Sequence, residues 1–242
     1  MLKLKNVTKT YDDAHEPVFS QVSLHVGKCE FVSIIGPSGC GKSTLLEVCA
    51  GLQRFNTGTI SLDGINIDRP GLSSFMPQGH SLLPWRRLNK NIALPFEVAG
   101  IAKDKALEQA NQLLEQFNMS HLAKRWPNQL SGGQQKRGAL LRSIAHDKNL
   151  IMLDEPLESL DSLTRQNIQI WLKDLFTTQE KSALMVTHDI DEAVFFSDRI
   201  YVMGFNRPLK EVYIHLKHRD RDSIEFRRFC TQIKGELNLE KA

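Results

Sequence analysis

The chain has 242 residues, 41% hydrophobic and 24% charged, the balance of a folded globular protein and not of a disordered one. Its formal net charge of +3 is too small to argue for a nucleic-acid partner. No run approaches the roughly 20 apolar residues of a membrane helix, and Met1-Leu2-Lys3-Leu4-Lys5 lacks the apolar stretch of a leader peptide. The four cysteines, Cys29, Cys40, Cys49 and Cys230, form no CxxC pair and no zinc spacing. The expectation is one cytosolic unit over residues 1–242 with reduced thiols, any membrane work falling to another chain.

In chain order, residues 32–35 read as a buried strand. It runs into Gly36-Pro37-Ser38-Gly39-Cys40-Gly41-Lys42-Ser43-Thr44 and then a helix over 43–49. The nine residues match GxxxxGK[ST] in strand–loop–helix context. Glycines let the backbone wrap phosphate oxygens with its N–H groups inward, and the helix N-terminus adds a positive dipole end. Lys42 can then reach the β- and γ-phosphates, and Ser43 can place its hydroxyl on Mg²⁺. A phosphate cradle alone does not choose among kinases, GTPases and motors.

Residues 57–64 alternate and end in Asp63-Gly64, a hairpin signal. Residues 85–141 read mainly helical and look inserted. Within them Ala106, Leu107, Ala110, Leu113, Leu114 and Phe117 share one face of a helix over 104–117. Residues 150–153 form an apolar run before Asp154 and Glu155, at the strand end where open α/β sheets bind ligands. Asp154 is placed to hold Mg²⁺ and Glu155 to take a proton from an attacking water. Their bland reading is a cap on the next element. A helix over 163–176 and a strand over 183–186 complete an α/β pattern with a parallel sheet. Beyond about residue 204 charges interleave, Arg219, Arg221, Arg227 and Arg228 with Asp220, Asp222 and Glu225, while Phe226 and Phe229 point to packing on the core.

Between the two phosphate-site segments stands Leu130-Ser131-Gly132-Gly133-Gln134-Gln135-Lys136-Arg137. With it, the chain resembles the ATP-binding subunits of ABC transporters over nearly all its length. Lys42 matches the family's first nucleotide motif, Asp154 the second and residues 130–137 its signature. Gln78 matches the Q-loop, Ser159-Leu160-Asp161 the D-loop, His188 the switch histidine and Tyr11 the adenine-stacking aromatic. Alone, Tyr11 reads as packing, His188 as a structural histidine, Gln78 as a solvated loop residue and Ser131 as an ordinary N-cap. The specificity lies in the ordered set. Glu158-Ser159-Leu160-Asp161 departs slightly from the family's loop at Ser159.

The resemblance implies an α/β fold: a P-loop NTPase parallel-sheet core, an antiparallel β subdomain and an inserted helical subdomain over about 85–141. A charged C-terminal extension follows over about 205–242. It implies ATP and Mg²⁺ as cofactors. Tyr11 and Gly36 through Thr44 would bind the nucleotide, while Ser131, Gly132, Gly133 and Asp161 complete the site of a second copy in a head-to-tail dimer. Glu155, His188, Lys42 and Gln78 would be catalytic, and Ser43, Gln78 and Asp154 would hold the metal. The implied partners are membrane-spanning permease subunits, a second copy and a periplasmic or extracellular solute-binding protein, with the chain cytoplasmic and peripheral on the inner membrane face.

After Gln78, Leu82-Leu83-Pro84-Trp85 is similar to importers of nitrate, sulfonates, taurine and thiamine-precursor pyrimidines, where a permease coupling helix docks. Leu82, Leu83 and Trp85 are expected to form an apolar groove, against the bland reading that they fill the core of the helical insertion. Arg219-Asp220-Arg221-Asp222 with Phe226 is similar to the tails of that group. The alternative is a non-transport ABC ATPase, which no coiled-coil insertion, second ATPase copy or strong basic surface favours. A regulatory module with little turnover is a further alternative, opposed by Glu155 and His188, which are chemically useful for hydrolysis.

Overall fold

A computed structural model describes residues 1–79, 82–145, 148–158, 160–205, 207–216 and 218–239. Ser159 of the expected D-loop and His80 and Ser81 after Gln78 lie outside the described residues. The chain opens with β1 (Leu2–Lys9), β2 (Phe19–Val26), β3 (Phe31–Ile35) and α1 (Lys42–Cys49). Then come β4 (Thr57–Leu62), β5 (Ile65–Asn66), β6 (Ser74–Met76) and three helices, α2 (Leu88–Val98), α3 (Lys103–Gln116) and α4 (Gly132–Ile144). β7 (Leu150–Asp154), α5 (Ser162–Gln179), β8 (Ser182–Thr187), α6 (Ile190–Phe196), β9 (Arg199–Val202), β10 (Lys210–Tyr213) and α7 (Ile224–Leu239) complete it.

Two sheets form. One is antiparallel, in the order β2-β1-β4-β5; the other is six-stranded, in the order β10-β9-β3-β8-β7-β6, parallel except where β10 meets β9. Its central strands β3, β7 and β8 are buried throughout because both faces are covered. Val32, Ile34, Met152, Leu184 and Val186 pack with Leu45 and Leu46 of α1 and with Leu2, Leu4 and Val22 of the antiparallel sheet. The alternate residues Phe31, Ile151, Leu153, Ala183 and Met185 pack with Leu140 and Leu141 of α4 and Leu172 and Phe176 of α5. The period of two thus sorts one strand's side chains into two cores.

The expected hairpin forms: β4 pairs with β5, and Asp63 and Gly64 both take positive φ, 50° and 82°, the demand of a primed turn. The N-terminal strands β1 and β2 were not singled out from the sequence as individual elements, although Leu2, Leu4, Val22, Leu24 and Val26 alternate as half-buried strands do. β9 is fixed by a buried cation. Arg199, 2% exposed, pairs with Glu30 at 2.6 Å and Glu211 at 2.7 Å and reaches the His25 ring of β2. Removing both acids would strand a buried charge.

The charged tail is ordered over 218–239, as α7 and the turn before it. Phe226 and Ile233 pack under it with Val194 of α6 and Val212 of β10, and Phe229 packs partly buried beside them. Arg219 donates to the carbonyls of Val194, Phe195 and Ser197 at 3.3, 3.0 and 2.7 Å, taking up oxygens that the C-terminal end of α6 cannot satisfy internally.

Candidate nucleotide site

The strand order brings the site together. β3, β8 and β7 lie side by side in parallel, so the loop after Ile35, the turn after Thr187 and the acids after Leu153 emerge at one edge. β6 pairs with β7, Met76 opposite Leu153, which delivers Gln78 to the same edge. The cleft there has a volume of about 440 Å³ and is lined by Ser38, Gly39, Gly41, Lys42, Ser43 and Thr44 with Gln78, Glu155, Glu158 and His188.

The cradle's shape follows from its glycines. A Cβ at Gly36 would lie 2.3 Å from the Met203 carbonyl oxygen, so no side chain fits. Gly41 caps α1 at φ 97°, a left-handed conformation, and supplies no side chain to the first-turn amides. Those amides have no intrahelical acceptor, which suits them to an anion. Cys40 is buried, its thiol 3.7 Å from the Met203 carbonyl oxygen, so it anchors the loop from behind. Lys42 is 6% exposed and donates to the carbonyls of Gly36 and Pro37 at 3.0 and 2.8 Å, which folds its ammonium over the loop.

The metal residues expected from the sequence meet in part. Ser43 Oγ donates to Asp154 Oδ1 at 3.0 Å. Burial pushes the Asp154 carboxyl up to about 6, opposed by that hydrogen bond and by Lys42. A buried acid beside a hydroxyl is a hard oxygen set that a divalent cation would stabilise in its charged form, so the residues fit Mg²⁺. Among the described residues no group of three or more His, Cys, Asp or Glu side chains gathers to hold a metal.

Glu155 stands in the left-handed region at φ 43°, a strain of about 1 kcal/mol for a residue with a Cβ. Its amide donates to the Val186 carbonyl at 2.9 Å, which holds the turn. One carboxylate oxygen accepts from Gln78 Nε2 at 3.3 Å, and the other lies 3.3 Å from His188 Nδ1. The three residues expected to handle water therefore converge. Glu158 joins them, accepting from the same Gln78 amide at 2.8 Å. Sequence reasoning left Glu158 out, since nothing in its spacing marks an acid beyond the pair at 154–155.

Other expected residues lie apart from the cleft. Tyr11 is 42% exposed in the loop after β1, with the Lys9 ammonium 4.6 Å from its ring centre. Ser131 is the N-cap of α4, closing a capping box with Gln134, and Ser131 and Gly132 face solvent. A Cβ at Gly133 would meet Thr164 Cγ2 at 2.5 Å, so this glycine lets α4 approach α5. Asp161 caps α5 by accepting from the Thr164 amide at 3.0 Å, and the Thr164 hydroxyl, followed by that amide, holds its carboxyl below the usual range. None of these five lines the cleft of its own chain.

The run after Gln78 is divided. Leu82 is 6% exposed and sits in the core, which overturns its expected place in a docking groove; its methyls come within 3.4 Å of a Cβ position at Gly138. Trp85 is 69% exposed. Asn91, fully buried, holds the turn that carries it, accepting from the Leu83 amide at 2.7 Å and donating to the carbonyls of Leu83 and Arg86 at 3.1 and 2.8 Å.

α6 begins just beyond His188 with Asp189 as its N-cap, accepting from the Glu192 amide at 3.0 Å. Glu192 is 4% exposed and accepts from the Thr187 hydroxyl at 2.9 Å. Burial, and next the charge of Asp189, push its carboxyl from 4.5 up to about 7. An acid raised on folding holds its proton longer in the folded chain. Its stabilising contribution is therefore full below about 4.5 and is lost as the pH rises through about 7. The swing is on the order of 3 kcal/mol. Glu192→Gln is expected to melt above the parent at pH 8 by several degrees, with the gap closing by pH 5 in thermal melts. An equal gap at both pH values would reject the assignment.

The family pattern of the ABC transporter matches residues 19–158, more than half of the chain. The chain belongs to the ABC transporter family and is one of its ATP-binding, ATP-hydrolysing chains. An aliphatic sulfonates import ATP-binding protein of Agrobacterium fabrum is 40% identical, over 96% of this chain and 82% of that protein. A taurine import ATP-binding protein of Escherichia coli K12 is 36% identical over 90% of this chain and 86% of that one. An uncharacterized ABC transporter ATP-binding protein of Methanocaldococcus jannaschii is 37% identical over 99% and 92%. Among solved structures, a dimeric ATP-binding cassette in a post-hydrolysis state with ADP and Pi superposes with a TM-score of 0.78. It is 33% identical, over 89% of this chain and all of that one. Among the described residues no helix is long and apolar enough to cross a membrane.

Proposed function

We propose that this chain is the motor of an importer, hydrolysing ATP to drive a small anionic solute of the sulfonate or taurine type through a separate permease. The observation that carries the chemistry is the convergence of Lys42, Ser43, Gln78, Glu155 and His188 on one cleft, with Asp154 against Ser43. Phosphates lie in the cradle of residues 36–44 and adenine on Tyr11. Glu155 takes the proton of the attacking water, His188 and Gln78 orient that water, and Lys42 meets the charge on the transferred group. Ser43, Asp154 and Gln78 would hold Mg²⁺, which supplies charge neutralisation at the phosphates. Solvent exposure of Ser131 and Gly132 supports their use by a second copy, in a head-to-tail pair. The sulfonate and taurine importers among its relatives support the cargo and, with it, a solute-binding protein and a place on the inner membrane face.

Trp85 is the proposed permease contact, since it is exposed on a turn that Asn91 braces, on the segment leaving Gln78. In the intact transporter, Trp85→Ala is expected to keep nucleotide binding and lower solute uptake at least about tenfold. ATPase activity should no longer respond to solute. Uptake at the parental rate would remove Trp85 from the coupling surface. Deletion of the gene should impair growth on a sulfonate as sulfur source; a defect confined to a sugar or peptide would sink the cargo and leave the motor standing.

A further inference from the structure

Lys136 is a buried cation with no task in the chemistry above. It lies on α4, the helix that Ser131 caps, and is 3% exposed. Burial holds its ammonium below the usual lysine range; Glu158 opposes this most, followed by Glu155 and Asp154. Glu158 is also the nearer acceptor of the Gln78 amide, at 2.8 Å against 3.3 Å for Glu155.

We propose that Glu158, backed by Lys136, is a positioning residue that takes the shorter of the two bonds from the Gln78 amide and so keeps the hold of Gln78 on Glu155 loose enough for Glu155 to turn to water. Gln78 Nε2 carries two hydrogens and shares them between the two carboxylates. A buried ammonium needs counter-charge wherever it can find it. With Glu158 neutral, both demands fall on Glu155 and Asp154. Glu155, which already accepts from Gln78 on one oxygen and faces His188 on the other, would then be held more tightly.

This inference rests on Glu155 as the base, so Glu155→Gln is measured beside it. Steady-state Mg-ATP hydrolysis by the full chain would be compared for Glu158→Gln, Lys136→Met and the double variant. Glu158→Gln is expected to lower kcat about tenfold with KM for ATP within about twofold. Adding Lys136→Met removes the cation that needed the charge and should restore kcat to within about threefold of the parent. Multiplying effects in the double variant, or a KM that moves with kcat, would overturn the proposal. Thermal melts report folding. Should Glu158→Gln lose its cooperative melt, Glu158→Asp keeps the charge and shortens its reach to Gln78. Lowered kcat at constant KM then supports the role, and parental kcat overturns it. If Glu155→Gln is inert and the cycle is multiplicative, only the positioning role falls. If Glu155→Gln turns over normally, the base assignment falls and takes this one with it.

Discussion

Glu155→Gln is expected to cut ATP turnover about a thousandfold while ATP stays bound. The amide keeps the size of the carboxylate and can still face Gln78 and His188, each 3.3 Å from an oxygen of Glu155. What it loses is the ability to take a proton. Its backbone turn, with φ at 43° and the amide on Val186, does not depend on the side-chain charge, so the cleft should keep its shape. ATP would then hold two copies together without being consumed. Size-exclusion chromatography with Mg-ATP should show a dimer that the parent chain, which hydrolyses its nucleotide, does not accumulate. Turnover at the parental rate would remove Glu155 from the base role. A dead variant that also fails to bind ATP would mean that the side chain holds the site together instead.

The cradle was legible because its demands are local. Gly41 meets a local conformational demand, its left-handed φ of 97°, and Lys42 and Ser43 follow at fixed offsets, while the contact that excludes a side chain at Gly36 comes from distant Met203. Asp154 and Glu155 were legible as acids ending an apolar strand. What stayed hidden depends on packing between distant segments. Glu158 meets the Gln78 amide at 2.8 Å, and the two are 80 residues apart in sequence. Asn91 reads as one polar residue in a helix, yet its side chain holds the Trp85 turn. Leu82 and Trp85 belong to the same apolar run, and only the fold shows that one is core and the other surface. In the tail, Phe226 and Phe229 were legible as core-facing among the Arg and Asp, while Cys230 and Ile233, which pack with them, were not.

Lys42→Ala is expected to lower turnover about a thousandfold and weaken nucleotide binding, because the ammonium over the cradle is lost. Its second use is to test whether the site is shared. Ser131→Arg puts a long cation at an exposed N-cap and removes the hydroxyl that accepts from Gln134. In a head-to-tail pair each homodimer of either variant carries damage in both sites. A dimer with one copy of each variant concentrates the damage: one site loses both residues and the other keeps both. Random pairing makes half of the dimers mixed, each with one sound site of two. The mixture should then reach about a quarter of the parental rate if the sites turn over independently, while each variant alone stays near zero. Chains carrying both substitutions have no sound site in any pairing, so they set the floor. Activity at that floor in the mixture, with mixed dimers shown to form in the Glu155→Gln background, would mean that Ser131 does not complete its partner's site or that one sound site cannot turn over alone. Trapped nucleotide separates the two, since a shared site predicts one ATP retained per mixed dimer in that background and an unshared one does not.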